Sequence, residues 1–238
     1  MEPPATVRTA LADRPVDGAV CLEAGAGVGN GTAGLVAAGA ERVYAVTNDR
    51  EHASGVSERV DGRDDVAVLE ADLREIPLPD DSVDLVLAHA LFGVVPPAGL
   101  PGIAAELTRV AAPGAHLVVD DYEPLPADSP VRRLFALENA AAEIATGRPA
   151  LAFYPADAMA ALFAGHGWRV DRTRDLLDPV PWTRELLDAH LDEIRGFAEQ
   201  LDDGIGAPLV GDGERLVEEV GSAAVGEMYS VAMRLDSA

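Results

Sequence analysis

Between residue 18 and about residue 176, short apolar runs alternate with stretches whose apolar positions recur three and four apart. These are the periods of a buried strand and of a half-buried helix. Residues 19–23 read as a first strand and 32–38 as the helix after it, with Gly39 as its stop. Residues 42–46 form a second strand, followed by a polar helix over 51–60. Third and fourth strands fall at 66–70 and 83–88. A helix over 103–110 leads through the Pro113-Gly114 turn to a fifth strand at 116–120.

Past the fifth strand, Ser129-Pro130 places a capping residue and an N1 proline at a helix start. That helix presents Leu134, Leu137, Ala141 and Ile144 on one face and stops at Gly147. A helix over 156–163 ends in Gly165-His166-Gly167, and 168–171 reads as a sixth strand. An amphipathic helix carries Leu187, Leu191, Ile194 and Leu201. Residues 204–213 read as a glycine-rich break, 215–220 as helical, and 228–235 as a last, antiparallel strand. The pattern predicts an α/β fold: a doubly wound, mostly parallel seven-stranded sheet with helices on both faces. Residues 1–238 read as one domain, with a core at about 17–125 and substrate or lid helices at about 126–165 and 181–221.

Composition narrows the chemistry. Of 238 residues 48% are hydrophobic, ample for a core. No uncharged apolar run of about 18 residues predicts a membrane span. The Met1-Glu2-Pro3-Pro4 start lacks the marks of a secretory signal. Cys21 is the only cysteine, and the chain is expected to be cytoplasmic. Acidic residues number 41 against 18 basic ones, a net charge of -23, and no residue is lysine. Schiff-base and P-loop lysine chemistry are therefore excluded. Acid is spread along the chain, as an organism living in concentrated salt would favour, where self-repulsion is screened. His52, His116, His166 and His190 have no metal-ligand spacing, so no metal site is expected.

The informative segment runs from Cys21 to Thr32, where Glu23 ends the first strand and Gly25, Gly27, Gly29 and Gly31 follow. Glycines let a backbone turn sharply and approach a ligand closely. Two cofactor classes use such loops. A dinucleotide loop needs a third glycine where this chain has Asn30. A formal match at Gly29, Gly31 and Gly34 begins too far past the strand. Glu23 also opposes a pyrophosphate, whereas a cationic amino-acid group tolerates it.

Glu23-x-Gly25-x-Gly27-x-Gly29 resembles the first motif of class I S-adenosylmethionine-dependent methyltransferases, of the type 11-like kind. Ala71-Asp72-Leu73, with the segment from Ile76 to Asp84, is similar to their region around strands three and four. Leu107-Thr108-Arg109-Val110-x-x-Pro113-Gly114 resembles the helix and turn before strand five. The three matches are collinear over about half the chain. The resemblance implies S-adenosylmethionine as cofactor, with the Gly25 and Gly27 backbone against its methionine and ribose part. It places Glu23 near the amino group, Asp72 on the adenine amino group and the Leu73 amide on a ring nitrogen. Ala24, Gly29 and Ala71 complete that binding set, and His89 and Ala90 lie near the reactive methyl.

One departure concerns the ribose. The family's carboxylate after strand two is replaced here by Thr47, so Asn48 or Asp49 takes the role from a shifted register. Alternatively, Thr47, Asn48 and Arg50 suit a phosphorylated ribose, which keeps an NADP-dependent oxidoreductase as a rival. A non-catalytic S-adenosylmethionine-binding protein is a second rival. For an acceptor that must lose a proton, His89, Asp121 and Tyr122 are the catalytic candidates. The expected acceptor is a small molecule, a lipid-like quinone precursor among them, rather than nucleic acid or protein. Asp84 reads as structural, Cys21 as core, and the helix around Leu187 as packing or lid.

Overall fold

A computed structural model describes residues 2–236. The chain opens with helix α1 (Ala5–Leu11), strand β1 (Val20–Ala24), α2 (Asn30–Ala37), β2 (Arg42–Thr47), α3 (Arg50–Arg59) and β3 (Val66–Glu70). Strand β4 (Val83–His89), two short 3-10 turns, α4 (Leu100–Val110) and β5 (Ala111–Tyr122) follow. Helices α5 (Pro130–Thr146) and α6 (Ala156–Ala164) precede β6 (Trp168–Leu177) and β7 (Pro181–Trp182). Helices α7 (Arg184–Ala198) and α8 (Asp203–Val220) lead to β8 (Ala223–Ala224) and β9 (Met228–Leu235).

Seven strands form one sheet in the order β3-β2-β1-β4-β5-β9-β6, and β7 pairs with β8 in a separate ribbon. Strands β1 to β5 are parallel, and β9 runs antiparallel between β5 and β6. The expected doubly wound sheet is therefore the observed one. Chain order reverses at β1, with β2 on one side and β4 on the other, and a ligand crevice opens at such a reversal.

Strands buried on both faces need apolar side chains at successive positions, and β1 supplies them. Leu22 joins a core under α4 and α6 with Val86, Leu107, Val119 and Phe163. Cys21 faces the opposite side, with Val43, Leu85 and Val118 under α1 and α2. Burial there pushes the Cys21 thiol up to about 12, which leaves it an inert core group. Asp84 accepts from the Val20 amide at 2.9 Å, tying β4 to the start of β1. A third core, with Leu134, Phe135, Trp182, Leu187, Ile194 and Val217, joins α5, α7, α8 and the small ribbon into a cap.

The structure corrects the pattern in five places. The expected break at 204–213 is part of α8, which contains Pro208. Its glycines serve packing rather than turning: a Cβ on Gly206 would lie 2.7 Å from the Ala198 carbonyl, and one on Gly213 2.8 Å from Leu191. Ile144 is exposed, and Leu201 lies beyond the end of α7. Strands β5 and β6 extend well past 116–120 and 168–171, because both pair along β9. Ser129 precedes α5, but its hydroxyl is buried without a partner instead of capping. Residues 1–17, for which the pattern predicts no element, include α1, which buries Val7, Ala10 and Leu11 against α2.

Helix α1 seats on α2 only because residue 34 is glycine; a Cβ there would lie 2.2 Å from Val7 Cγ1. Gly34→Ala is expected to destabilise the fold by about 1–3 kcal/mol through overpacking. Gly55→Ala, on the exposed side of α3 with nothing within 4 Å, is expected to gain about 0.5–1 kcal/mol. Urea unfolding of both variants checks the pair, since the two substitutions are chemically identical.

Candidate active site

Three strand ends define the floor of the site. Their register holds them level: Ala24 lies beside Val46, Val46 beside Leu69, and Thr47 beside Glu70. The Gly25 and Ala26 amides both donate to the Val46 carbonyl, at 3.0 and 2.8 Å, which folds the loop back over β2. Gly25 has φ 74°, and a Cβ on it would lie 2.6 Å from Leu91 Cδ1. Main chain is thereby kept bare where the loop meets the crevice.

Glu23 is 2% exposed and accepts from the Thr32 amide at 2.7 Å and from the Thr32 hydroxyl. A Cβ on Gly31 would fall 2.3 Å from its other oxygen. The carboxylate thus binds the first turn of α2 from below the loop. Burial pushes it up to about 7, against the pull of the Thr32 and Gly31 hydrogen bonds and of His89.

Asp49 caps α3, accepting from the His52 amide at 2.9 Å, and those helix contacts hold its carboxyl below the usual range. Its own amide donates to the Thr47 hydroxyl at 3.2 Å. Asn48, between them, is exposed. Asp72 is gripped by Arg74 through Nε at 2.9 Å, Nη2 at 2.5 Å and the backbone amide at 2.8 Å. This pairing lowers Asp72 to about 2, so it is ionised throughout the working range.

A cavity of about 850 Å³ opens over this floor. It brings together Gly25, Thr47, Asn48, Asp49, Asp72 and Leu73 of the predicted residues. Glu23, Ala24, Gly27, Gly29, Ala71, His89, Ala90, Asp121 and Tyr122 do not line it. His89 Nδ1 lies 3.2 Å from Asp120, a fully buried carboxylate. Ala90, at φ 51°, donates to the Asp120 carbonyl at 2.7 Å. Asp121 accepts from the Gly93 and Tyr122 amides, both at 2.8 Å, and burial pushes it up to about 6. Tyr122 packs against Trp182 in the cap, and burial raises its phenol.

The sequence reading missed Arg74 and, although it placed substrate or lid helices at about 126–165 and 181–221, named no roof residue as part of the site. Glu138 and Ala142 from α5, and Ala189, His190, Glu193 and Phe197 from α7, close the cavity with the segment from Arg148 to Leu151. Asn139 holds that segment by a two-way bond with Leu151, at 2.7 and 3.0 Å. A glutamate and a histidine inside apolar helical stripes were the available signals. The rival ribose phosphate site is not assembled: Arg50 is absent from the lining and pairs with Glu70 at 3.6 Å. Among the described residues no cluster of His, Cys, Asp and Glu could hold a metal, and no helix is long and apolar enough to cross a membrane.

A folded-state value of about 7 for Glu23 lies above its ordinary 4.5. Stability from the buried acid is therefore full below pH 4.5 and is lost as pH rises to 7. Glu23→Gln keeps an acceptor for Thr32 without the buried charge. Urea unfolding should find it more stable than wild type at pH 8, with the advantage vanishing toward pH 4.5.

Residues 22–119 match the family described as the methyltransferase domain. Over 126 residues the chain is 36% identical to the demethylmenaquinone methyltransferase of Clavibacter sepedonicus, covering 50% of this chain and 48% of that protein. The chain thus spans about half the length of that curated relative. The structure of a putative methyltransferase from Bacillus halodurans superposes with a TM-score of 0.67 at 13% identity, covering 98% of this chain and 100% of that one. A SAM-dependent methyltransferase from Aquifex aeolicus gives 0.59 at 20% identity, covering 96% and 89%. At these identities the structures speak for the fold, and the sequence match speaks for the domain. The glycine loop, the Asp72 segment and β4 all lie inside the residues that match the methyltransferase domain.

Proposed function

We propose that the chain transfers a methyl group from S-adenosylmethionine to a small, largely apolar acceptor held between the strand ends and the cap. The observation that carries this reading is the single cavity of about 850 Å³, walled by the family's cofactor positions on one side and by α5 and α7 on the other. That volume is in the range of ligand sites generally. The donor fits the residues present. The bare main chain at Gly25 leaves a cradle that a Cβ would fill. Asp49, Asp72, Glu138 and Glu193 outnumber Arg74 and Arg148 in the lining, an acidic balance that favours a cation over a diphosphate.

When bound, the cofactor supplies an electrophilic methyl on a positively charged sulfur. Transfer is an in-line displacement, so the protein's work is mainly placement. Asp72 accepts from the adenine amino group while Arg74 fixes its orientation. The Leu73 amide meets a ring nitrogen. Asn48 takes the ribose hydroxyls in place of the missing carboxylate, since Asp49 is committed to α3. Glu23 acts through the loop it anchors. Residues of the core at about 17–125 thus hold the donor, and those at about 126–165 and 181–221 hold the acceptor. The partial match to a demethylmenaquinone methyltransferase supports a quinone-like acceptor. The net charge of -23 supports a cytoplasm rich in salt.

Calorimetry in about 2 M KCl, where surface charge is screened, tests the reading. S-adenosylhomocysteine should bind and NADPH should not, and Asp72→Ala should weaken the former by about tenfold or more, as loss of a charged hydrogen bond implies. Binding of NADPH alone would overturn it.

A further inference from the structure

The cap contains a carboxylate–imidazole pair that methyl-donor binding does not use. Glu138 on α5 is 2% exposed, although its helix neighbours Leu134, Phe135 and Ala141 are core residues. His190 Nδ1, on α7, lies 2.7 Å from its Oε2. A carboxylate this deep needs a partner, and one imidazole supplies it. Phe135 packs on the ring with centroids 4.4 Å apart, and Trp182 stands 6.2 Å away, itself 5.1 Å from Phe135. The ring is therefore fixed by a carboxylate and two aromatics, yet the His190 side chain remains 22% exposed, and both residues of the pair line the cavity.

Fixing Nδ1 decides what Nε2 does. A carboxylate only accepts, so Nδ1 carries the proton and Nε2 presents a lone pair. We propose that His190, oriented by Glu138, is the acceptor-side general base, and that the acceptor is an apolar molecule bearing a phenolic hydroxyl. This rests on the cofactor reading above. In the step, the O–H bond breaks and its proton moves to Nε2. The electron pair left on oxygen forms the O–CH₃ bond, and the S–CH₃ bond breaks with its pair kept by sulfur, whose charge is thereby neutralised. A phenol hydroxyl is within reach of a neutral imidazole base when deprotonation and methylation are concerted.

The sequence candidates are less suited to this work. Asp121 spends both oxygens on backbone amides, and neither it, Tyr122 nor His89 lines the cavity. The other charged groups lining the cavity are Glu193 on the same helix, Arg148 in the adjoining segment, and Asp49, Asp72 and Arg74 on the floor. Charges between α7 and α8 are neutralised as Arg184–Glu218 and Arg195–Glu214 pairs. Glu138 is thus the carboxylate in direct contact with the ring.

Two substitutions separate the ring nitrogens. In His190→Asn the shorter carboxamide occupies the Nδ1 position and keeps a donor for Glu138 while removing Nε2. In His190→Gln the longer carboxamide reaches the Nε2 position and offers an acceptor that is no base. The probe is 2-naphthol, with naphthalene as its hydroxyl-free control, added to the full chain saturated with S-adenosylhomocysteine. Wild type should bind 2-naphthol at least about tenfold more tightly than naphthalene, with a saturable shift of the His190 imidazole signals by NMR. His190→Asn should lose that preference while its S-adenosylhomocysteine affinity stays within about twofold of wild type. His190→Gln should retain much of the preference but lose methylation of 2-naphthol, a kcat effect at little change in KM. In Glu138→Gln the ¹⁵N shifts should show the Nδ1–H tautomer losing its dominance. No hydroxyl preference in wild type, or the same preference in His190→Asn, overturns the proposal with the cofactor reading intact. Failure of wild type to bind S-adenosylhomocysteine overturns that reading, and this proposal with it.

Discussion

A buried carboxylate bonded to the start of a helix fixes the geometry on which the rest of the site depends. Glu23 ends the central strand, and its partners are the amide and hydroxyl of Thr32 in the first turn of α2. Between these two points the chain must cross from sheet to helix in eight residues, four of them glycine. The carboxylate satisfies helix donors that would otherwise be orphaned and sits where the helix dipole favours negative charge. Its cost is desolvation, visible in the upward push on its pKa. Gly31 is part of the same arrangement, because any side chain there would displace the acid. The loop is consequently held from beneath, and its upper side is left free to meet a ligand.

Two layers with different packing logic meet over that loop. The floor is sheet, its strand ends set by ladder register, and side chains such as Asn48 and Asp72 inherit that precision. The roof is a cap of helices with its own apolar core, joined to the floor by few polar ties. Ala152 donates to the Gly93 carbonyl at 2.7 Å, and the Tyr154 hydroxyl to the Val95 carbonyl at 2.8 Å. Helices α7 and α8 approach closely because Gly206 and Gly213 present no side chains. A floor set by strand register and a roof with its own apolar core meet over one cavity, so either layer can vary while the other keeps its form, a division that suits a fold hosting many chemistries.

The strands of the main sheet were the most legible part of the sequence. β3 and β9 have the bounds that the apolar pattern predicts, 66–70 and 228–235. Glycine misled at α8, where the same residue that breaks helices also lets two of them touch, and composition alone does not distinguish these uses. Within the site, Gly25, Thr47, Asn48, Asp49, Asp72 and Leu73 fall at the strand ends, and strand ends can be read from period and punctuation. Glu138 and His190 are 52 residues apart. Only the packing of α5 on α7 joins them, and no local pattern encodes that crossing. The trace they left was a charged residue inside each of two apolar stripes.

The acidity of the cavity links composition to chemistry. With 41 acidic residues, a carboxylate is cheap to find on any surface, so exposed acids such as Glu193 carry little meaning individually. Buried acids are another matter, because salt does not screen them and each must be satisfied within the fold. Four carboxylates near the site answer that demand differently: Glu23 by a helix start, Glu138 by a histidine, Asp121 by two amides, and Asp120 by a histidine at one oxygen while the other has no partner. Of these, only Glu138 passes its charge to a group that lines the cavity. Burial is therefore what separates the acids that the fold must satisfy internally from those that face solvent.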